Sequence, residues 1–336
     1  MDSLDVPALT RLLVDIDSTT GQEAAVCAVV ADLLEARGYT VTRQPVTDRR
    51  FNILASLGVP EVVFSTHMDC VPPFMPARVE GGAIHGRGSC DAKGIIASQI
   101  GAAEALRAAG ETRVGLLFVV GEERGSDGAM IADALSTGAT RYLVNGEPTE
   151  GKLARGHRGV CRVKLHAHGR AAHSGYPQLG ESAIEKLLDA LAQLRAMPFV
   201  SDPVLGPMQV NIGGLSGGVA PNVIPPEASA DLLFRIVTPV AEVIEGLVPL
   251  RPLVDVEYVY HVDAIHMNVL PGFDSEVVGY TTDAPLLTAW GTRLMYGPGS
   301  IHVAHTDHEH VAVADLHRAV DDYQRLACML LEPAAG

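Results

Sequence analysis

The stretch E-V-V-F-S-T-H-M-D, residues 61–69, places a histidine and an aspartate directly after a short apolar run. Residues 61–66 are predicted to form a strand, and their nearly continuous apolar character is typical of a strand buried on both faces of a parallel sheet. Two further runs have the same pattern: residues 114–120 lead into Glu122, and residues 142–144 lead towards Glu147. The three runs therefore predict polar side chains at the carboxyl ends of strands, where ligands bind in such sheets.

Helical periodicity separates these runs. The predicted helices of the first half are 5–16, 22–37, 91–109 and 127–136, and two further extended segments are 39–43 and 51–57. Strands that alternate with helices predict an α/β fold, a mostly parallel sheet flanked by helices.

The pattern changes after Gly156 to that of an α+β module with an antiparallel sheet. Its predicted strands are 161–168, 208–212, 228–236 and 254–260, and its predicted helices are 182–195 and 240–248. His305, a candidate for the same site as His67, comes only after this module, which indicates an insertion. We therefore predict a catalytic domain of residues 1–156 and 262–336, ending in a helix over 311–331, with an inserted domain of residues 157–261.

Composition narrows the class of protein. The chain has 336 residues, 47% of them hydrophobic and 19% charged, with a formal net charge of −15 and no basic run. Nucleic acids and anionic membranes are bound by clustered Lys and Arg, so neither is expected as a partner. The first residues lack the basic start and apolar stretch of a signal peptide, and no run is long enough to span a bilayer, so we expect a cytoplasmic location.

The cysteines indicate reduced thiols. There are five, without C-x-x-C spacing, which argues against a disulfide framework and a zinc ribbon. Cys70 and Cys90 adjoin Asp69 and Asp91, which leaves a soft metal ligand as the alternative to a small buried apolar residue.

The histidines and carboxylates at the strand ends predict a metal site, because a buried charge is unfavourable unless something pairs with it. Two ions are accommodated if one carboxylate bridges them. His67, Glu147 and Asp91 would hold one ion, and His305, Glu123 and the same Asp91 the other. Nitrogen and oxygen ligands suit zinc, with cobalt or manganese as substitutes.

This assignment of metal ligands does not use Asp69 or Glu122. Asp69, two residues after His67, is placed to accept the other N–H of the imidazole. Glu122 could take a proton from a metal-bridging water and pass it to a leaving amine, as general base and then general acid. The reaction class that this predicts is amide hydrolysis.

Five ordered motifs resemble those of the zinc exopeptidases and deacylases that include acetylornithine deacetylase, succinyl-diaminopimelate desuccinylase, carboxypeptidase G and aminoacylase. The motifs are S-T-H-M-D, G-R-G-S-C-D-A-K-G, G-E-E-R-G-S-D-G-A, N-G-E-P-T and G-P-G-S-I-H-V-A-H-T-D-H-E-H, and together they extend over nearly the whole chain. The resemblance implies a bridging Asp91, a general base Glu122, and an inserted lid domain through which two subunits dimerise.

The resemblance also implies roles for three residues of the lid. His173 would steady the tetrahedral oxyanion in the active site of the other subunit, and Arg235 and Asn222 would bind substrate. A planar guanidinium suits the substrate α-carboxylate. The simpler alternatives are a local hydrogen bond for His173 and an ion pair with a lid carboxylate for Arg235.

Two departures from the family pattern are His308, where asparagine or aspartate is common, and Ala92, where methionine is. His302, His305, His308 and His310 lie close together in sequence, and His305 is selected because it aligns with the A-H-T pattern. Asp91 has the alternative role of capping the helix that follows it.

The function expected from these residues is a di-zinc amidohydrolase of N-acyl amino acids, with acetylornithine deacetylase as the best single choice. A dipeptidase or carboxypeptidase acting on short peptides is the neighbouring alternative. A non-catalytic dimeric metal-binding homologue is the alternative from another class, and it would need the ligands but not Glu122.

Overall fold

The computed structural model describes residues 4–332, and the chain divides into two compact units. Unit 1 takes in the described parts of Met1–Arg155, Met267–Glu276 and Thr282–Gly336, and unit 2 comprises Gly156–His266 and Val277–Thr281. None of the helices in the described range is both long enough and apolar enough to cross a bilayer.

The elements are numbered in chain order. The helices are α1 (Val6–Val14), α2 (Ala24–Ala36), α3 (Lys93–Ala108), α4 (Asp127–Ala134), α5 (Ala183–Ala196), α6 (Val240–Gly246) and α7 (Val313–Leu331). The strands are β1 (Thr40–Pro45), β2 (Phe51–Ser56), β3 (Val62–His67), β4 (Arg78–Glu80), β5 (Ala83–His85), β6 (Val114–Val119), β7 (Tyr142–Asn145), β8 (Leu153–His157), β9 (Gly159–His168), β10 (Ser201–Asp202), β11 (Gly206–Pro207), β12 (Gln209–Gly217), β13 (Glu227–Ile236), β14 (Asp255–Val262), β15 (Ile265–His266), β16 (Ser275–Val278), β17 (Thr292–Met295) and β18 (His310–Ala312). Short 3₁₀ turns occupy Glu122–Arg124, Pro177–Leu179, Val248–Leu250 and Thr288–Trp290.

Unit 1 is built on a six-stranded sheet in the order β1-β2-β6-β3-β7-β17. Strands β6, β3, β7 and β17 pair in parallel, while β1 and β2 add an antiparallel edge. Successive strand residues point to opposite faces of a sheet. Accordingly Val62 and Phe64 join a core shared with α1, α2, α3 and α7, whereas Val63 joins a second core shared with α4. The predicted α/β fold is confirmed.

The strands predicted at the site, and most of the predicted helices, are confirmed with small shifts at their ends. The helix predicted over 311–331 is wrong at its start, because His310–Ala312 pair with Ala83–His85 as strand β18 and the helix begins at Val313. Strand β17 was not predicted, yet it completes the parallel part of the sheet by pairing with β7.

Unit 2 contains a four-stranded antiparallel sheet in the order β12-β13-β9-β14. Strand β13 alternates buried and partly exposed residues along its length, as expected of a sheet with one covered face. That face packs on α5 and α6, with Leu187, Leu191 and Val243 in the shared core. The predicted strand-helix-strand-strand-helix-strand order is found as β9, α5, β12, β13, α6 and β14.

Candidate metal centre

The centre of unit 1 forms at the carboxyl ends of three adjacent parallel strands. Strand β3 lies between β6 and β7, and it ends at His67. After β6 the chain turns through Gly121, whose φ of +79° is in the left-handed region, into the 3₁₀ turn that carries Glu122 and Glu123. A Cβ at Gly121 would lie 2.0 Å from Asp127 Oδ1, so only glycine fits this turn.

Asp91 stands between two histidines. Its Oδ1 lies 2.9 Å from His67 Nε2, and its Oδ2 lies 3.3 Å from His305 Nε2. His305 Nε2 is also 2.9 Å from Glu123 Oε1. The two oxygens of one carboxylate therefore face two imidazoles that are 238 residues apart in the numbering of the chain, His67 and His305. Asp91 makes no cap bond to helix α3, so the capping alternative is not observed.

Each of these separations is compatible with two ligand atoms that bind the same cation. Ligand atoms about 2.0–2.1 Å from one ion lie about 2.9–3.4 Å from each other at coordination angles between about 90° and 110°. The His67–Asp91, Asp91–His305 and His305–Glu123 separations all fall in this range. His67, Asp91 and Glu123 also offer ligand atoms that all lie within 4.8 Å of one another. The donor set of imidazole nitrogens and carboxylate oxygens suits a divalent metal.

The histidines and carboxylates of the site shift each other's pKa values. Burial by itself would raise the pKa of Asp91, but hydrogen bonds with His305 and His67 outweigh it and hold the pKa well below its usual range. Burial would lower the pKa of His67, yet the carboxylates of Asp69 and Asp91 raise it well above the ordinary value. Asp91 and Glu123 raise the pKa of His305 to about 10. The site thus favours positive charge between its carboxylates.

Glu147 and Glu122 are carboxyl groups of the site whose pKa values are raised rather than lowered. Glu147 is 4% exposed, just beyond β7, and its Oε1 lies 3.5 Å from Asn145 Nδ2. Burial raises the pKa of Glu147 well above its usual value. Burial likewise raises the pKa of Glu122, and the neighbouring charge of Glu147 adds to the effect. Both side chains would gain from a nearby cation.

Asp69 is fully buried and holds the turn that carries the two glutamates. Its Oδ1 accepts the backbone N–H of Glu122 at 3.1 Å, and its Oδ2 accepts that of Glu123 at 3.2 Å. The Thr20 hydroxyl donates to Oδ2 at 2.9 Å. His67 Nδ1 lies 3.0 Å from the Asp69 carbonyl oxygen and 3.5 Å from its Oδ1, so Asp69 contacts both the histidine and the glutamate turn.

The four C-terminal histidines have different surroundings in the structure. His305 has a φ of +62° and turns its ring to Asp91 and Glu123. His310 belongs to β18, where its Nδ1 lies 2.7 Å from the carbonyl oxygen of His308 and its ring contacts that of His85 at a tilt of 31°. His302 and His308 are exposed. Of these four histidines, His305, the candidate selected from the sequence, is the one whose ring faces Asp91.

The three predicted lid residues all lie in unit 2. His173 is exposed, and its Nδ1 accepts the N–H of Gly175 at 3.1 Å. Asn222 is exposed, and its carbonyl oxygen accepts the N–H of Ser174 at 2.9 Å. Arg235 lies near the end of β13, and within residues 4–332 its guanidinium forms no ion pair. The alternative that Arg235 pairs with a lid carboxylate is therefore not observed.

Asp283 is a buried carboxylate that the sequence did not indicate. It is 2% exposed, and among the described residues neither of its oxygens has a hydrogen-bond partner. Burial raises the pKa of Asp283 to about 7, and the nearby Ser126 hydroxyl reduces part of that increase. Its charge acts on both Glu122 and Glu147. It follows no apolar run, so no periodicity could have singled it out.

Comparison with known proteins gives one consistent result. The model of peptidase family M20/M25/M40 matches residues 63–328. A probable carboxypeptidase of Aspergillus fumigatus is 38% identical, covering 97% of this chain and 87% of its own length. The crystal structure of aminopeptidase PepT from Bacillus cereus superposes with a TM-score of 0.81 at 20% identity, covering 99% of this chain and 100% of that one. A dinuclear metal-binding M20 peptidase of Bacillus subtilis superposes with a TM-score of 0.73 at 15% identity, covering 97% of each chain.

Proposed function

Because this chain belongs to peptidase family M20/M25/M40 and is a hydrolase of peptide or amide bonds, we propose that it cleaves its substrate at a two-zinc centre. The substrate class is an acyl or peptidyl group joined through an amide to an amino acid with a free α-carboxylate. The observation that carries the proposal is the placement of the two Asp91 oxygens against His67 and His305. Cobalt or manganese would be substitutes with the same donor preference.

We assign the residues to two ions that share Asp91. His67 and Glu147 would complete one set of ligands, and His305 and Glu123 the other. When bound, the metals would polarise the scissile carbonyl and lower the pKa of the attacking water. The buried, mutually repelling carboxylates of the site support this assignment, because a cation relieves both their desolvation and their repulsion.

Glu122 is proposed as the group that moves the proton. Its raised pKa favours holding a proton taken from the attacking water until the leaving amine accepts it. Asp69 supports this role because it holds the backbone N–H of Glu122 and so limits where the side chain can point. A carboxylate that is neither ligand nor ion-paired is suited to the task.

Unit 2 is proposed to bind the substrate. The guanidinium of Arg235, which forms no ion pair within residues 4–332, would hold the α-carboxylate in a bidentate pair, and the exposed side chain of Asn222 would add a hydrogen bond. His173, whose side chain is exposed, would stabilise the oxyanion in the active site of a second copy.

Two substrate classes share this chemistry. N-Acyl amino acids, with N-acetylornithine first among them, have a small acyl group before the scissile bond. Peptides cleaved at their C-terminal residue, including dipeptides, have an amino acid there instead, and the name of the Aspergillus fumigatus relative supports this second candidate. Both present the same amide nitrogen next to a free carboxylate.

The test is primary-amine release by the zinc-loaded protein from N-acetyl, N-succinyl and N-formyl amino acids and from dipeptides. Each substrate is paired with its α-carboxamide, which removes the charge that Arg235 would bind. We expect release from the free acids and much less from the carboxamides. Glu122→Ala is the matched variant and should keep zinc but lose nearly all turnover. Full activity of that variant, or no release from any substrate, would refute the proposal.

We also propose a homodimer formed through unit 2 and a cytoplasmic location. Strands β12 and β14 are the edges of the unit 2 sheet, and Leu215 and Tyr260 on them are exposed by 61% and 49%. None of the five cysteines forms a disulfide, which supports a reducing compartment. Light scattering on the purified protein tests the dimer, and a monomeric mass at micromolar concentration would exclude it.

A further inference from the structure

A buried ion pair joins three loops around the candidate metal centre. Arg87 is 2% exposed and Glu309 is 1% exposed, and Arg87 Nη1 lies 2.6 Å from Glu309 Oε2. Arg87 also donates from Nε to the Pro73 carbonyl oxygen and from Nη1 to that of Thr306, both at 3.3 Å. One guanidinium therefore contacts the segment after His67, the segment after His305 and Glu309 itself.

The other oxygen of Glu309 reaches the bridging aspartate. Glu309 Oε1 accepts the backbone N–H of Asp91 at 3.3 Å and that of Cys90 at 3.4 Å. Glu309 lies four residues after His305, in the same loop. The pair thus connects the backbone at Asp91 with the loop that presents His305, whose imidazole faces Asp91 Oδ2.

We propose that Arg87 and Glu309 are positioning residues that set the spacing between the Asp91 and His305 loops, and with it the affinity for metal. A buried ion pair is weak evidence for stability, because the desolvation of its charges offsets much of their attraction. Hydrogen-bonded partners outside the ligand shell orient metal ligands, and here the Glu309 carboxylate holds the backbone of Asp91. This inference rests on the proposed two-metal function.

The test measures zinc binding to the metal-free protein by competition with a chromogenic chelator, without substrate. The double variant Arg87→Met/Glu309→Leu removes both charges of the pair, so that neither partner is left buried without the other. It should weaken zinc binding about 10–100-fold, as loss of outer partners of metal ligands does. The double variant Arg87→Met/Glu309→Gln restores an oxygen acceptor for the Asp91 N–H and should recover part of the affinity.

The matched control is Arg37→Met/Glu104→Leu, which removes an ion pair of unit 1 between α2 and α3, with a 2.6 Å contact. It should bind zinc like the wild type. If the Arg87→Met/Glu309→Leu variant does not fold, Arg87→Lys serves instead. That variant keeps the charge but cannot reach both Pro73 and Thr306, so about tenfold weaker binding is expected.

The outcomes separate the two proposals. Wild-type zinc affinity in a folded Arg87→Met/Glu309→Leu or Arg87→Lys variant would overturn the positioning role and leave the two-metal hydrolase standing. Equal losses in the two double variants would also overturn it, since the acceptor for Asp91 would then be irrelevant. A wild-type protein that binds no divalent metal would overturn both proposals.

Discussion

Replacing Asp69 by asparagine removes the negative charge that holds the turn carrying Glu122 and Glu123. Three donors converge on this carboxylate: the two backbone N–H groups at 3.1 and 3.2 Å and the Thr20 hydroxyl at 2.9 Å. Asparagine has a single carbonyl oxygen, so it can keep the partners of only one carboxylate oxygen. In its better orientation the asparagine oxygen accepts the hydrogen bonds from the Glu123 backbone N–H and the Thr20 hydroxyl. Its NH₂ group then faces the backbone N–H of Glu122, which is left without an acceptor.

The magnitude follows from this loss. A hydrogen bond to a charged group contributes about 1.5–3 kcal/mol, and a buried donor left without an acceptor costs about 1–3 kcal/mol. We expect Asp69→Asn to lower the free energy of unfolding by about 2 kcal/mol. Because the turn also places Glu122, kcat should fall about 10–100-fold.

Urea unfolding and initial rates of amine release measure the two effects on the same preparations. Thr20→Val is the control, because it removes one of the three donors and leaves the carboxylate on both amides. It should lower stability by about 1 kcal/mol and leave kcat within about twofold. A stable Asp69→Asn protein with wild-type kcat would refute the claim that Asp69 holds the Glu122 turn.

Three further predictions concern substrate specificity, the pKa of Glu122 and the pH dependence of stability. Arg235→Ala should raise KM for free acids far more than for their carboxamides, and equal effects in steady-state assays would remove Arg235 from carboxylate binding. Asp283→Asn removes a negative charge that raises the pKa of Glu122, so the acid limb of the pH profile of kcat/KM should move to lower pH; an unmoved limb would contradict this. Burial lowers the pKa of His157 to about 4 from an ordinary 6.5, so the unfolded chain binds the extra proton and stability is lost as pH falls below about 6.5. Between pH 7 and 5 this histidine should lower the free energy of unfolding by about 2 kcal/mol, measured by urea unfolding. His157→Gln should lack that part of the pH dependence.

Much of the fold could be read from periodicity. The apolar runs that became β3, β6 and β7 are buried along most of their length, so their pattern is continuous and their boundaries are clear. Strands β17 and β18 are short and follow turns, and they form only because β7 and β5 present free edges to them. Val311 and Ala312 were assigned to a helix because their apolar character continues into α7, and only the pairing with β5 separates them from it.

The residues of the candidate site were likewise predicted only in part from the sequence. His67, Glu122 and Glu147 were predicted because each follows an apolar run, and Asp91, Glu123 and His305 because ligand counting and motif order indicated them. Asp283 and the Arg87–Glu309 pair had no such signal. Arg87 and Glu309 are 222 residues apart, and nothing local to either position indicates that they meet.

By itself, the sequence predicted the order of the main strands and helices, an α+β module after Gly156 and a set of candidate metal-binding residues. These depend on local periodicity and on the chemistry of side chains. The tertiary structure alone decided that the two oxygens of Asp91 face His67 and His305, that Asp69 holds the glutamate turn and that Glu309 holds Asp91. Such contacts join segments that are far apart in the chain, and they depend on how the strands and loops pack. The periodicity of one segment contains no information about that packing.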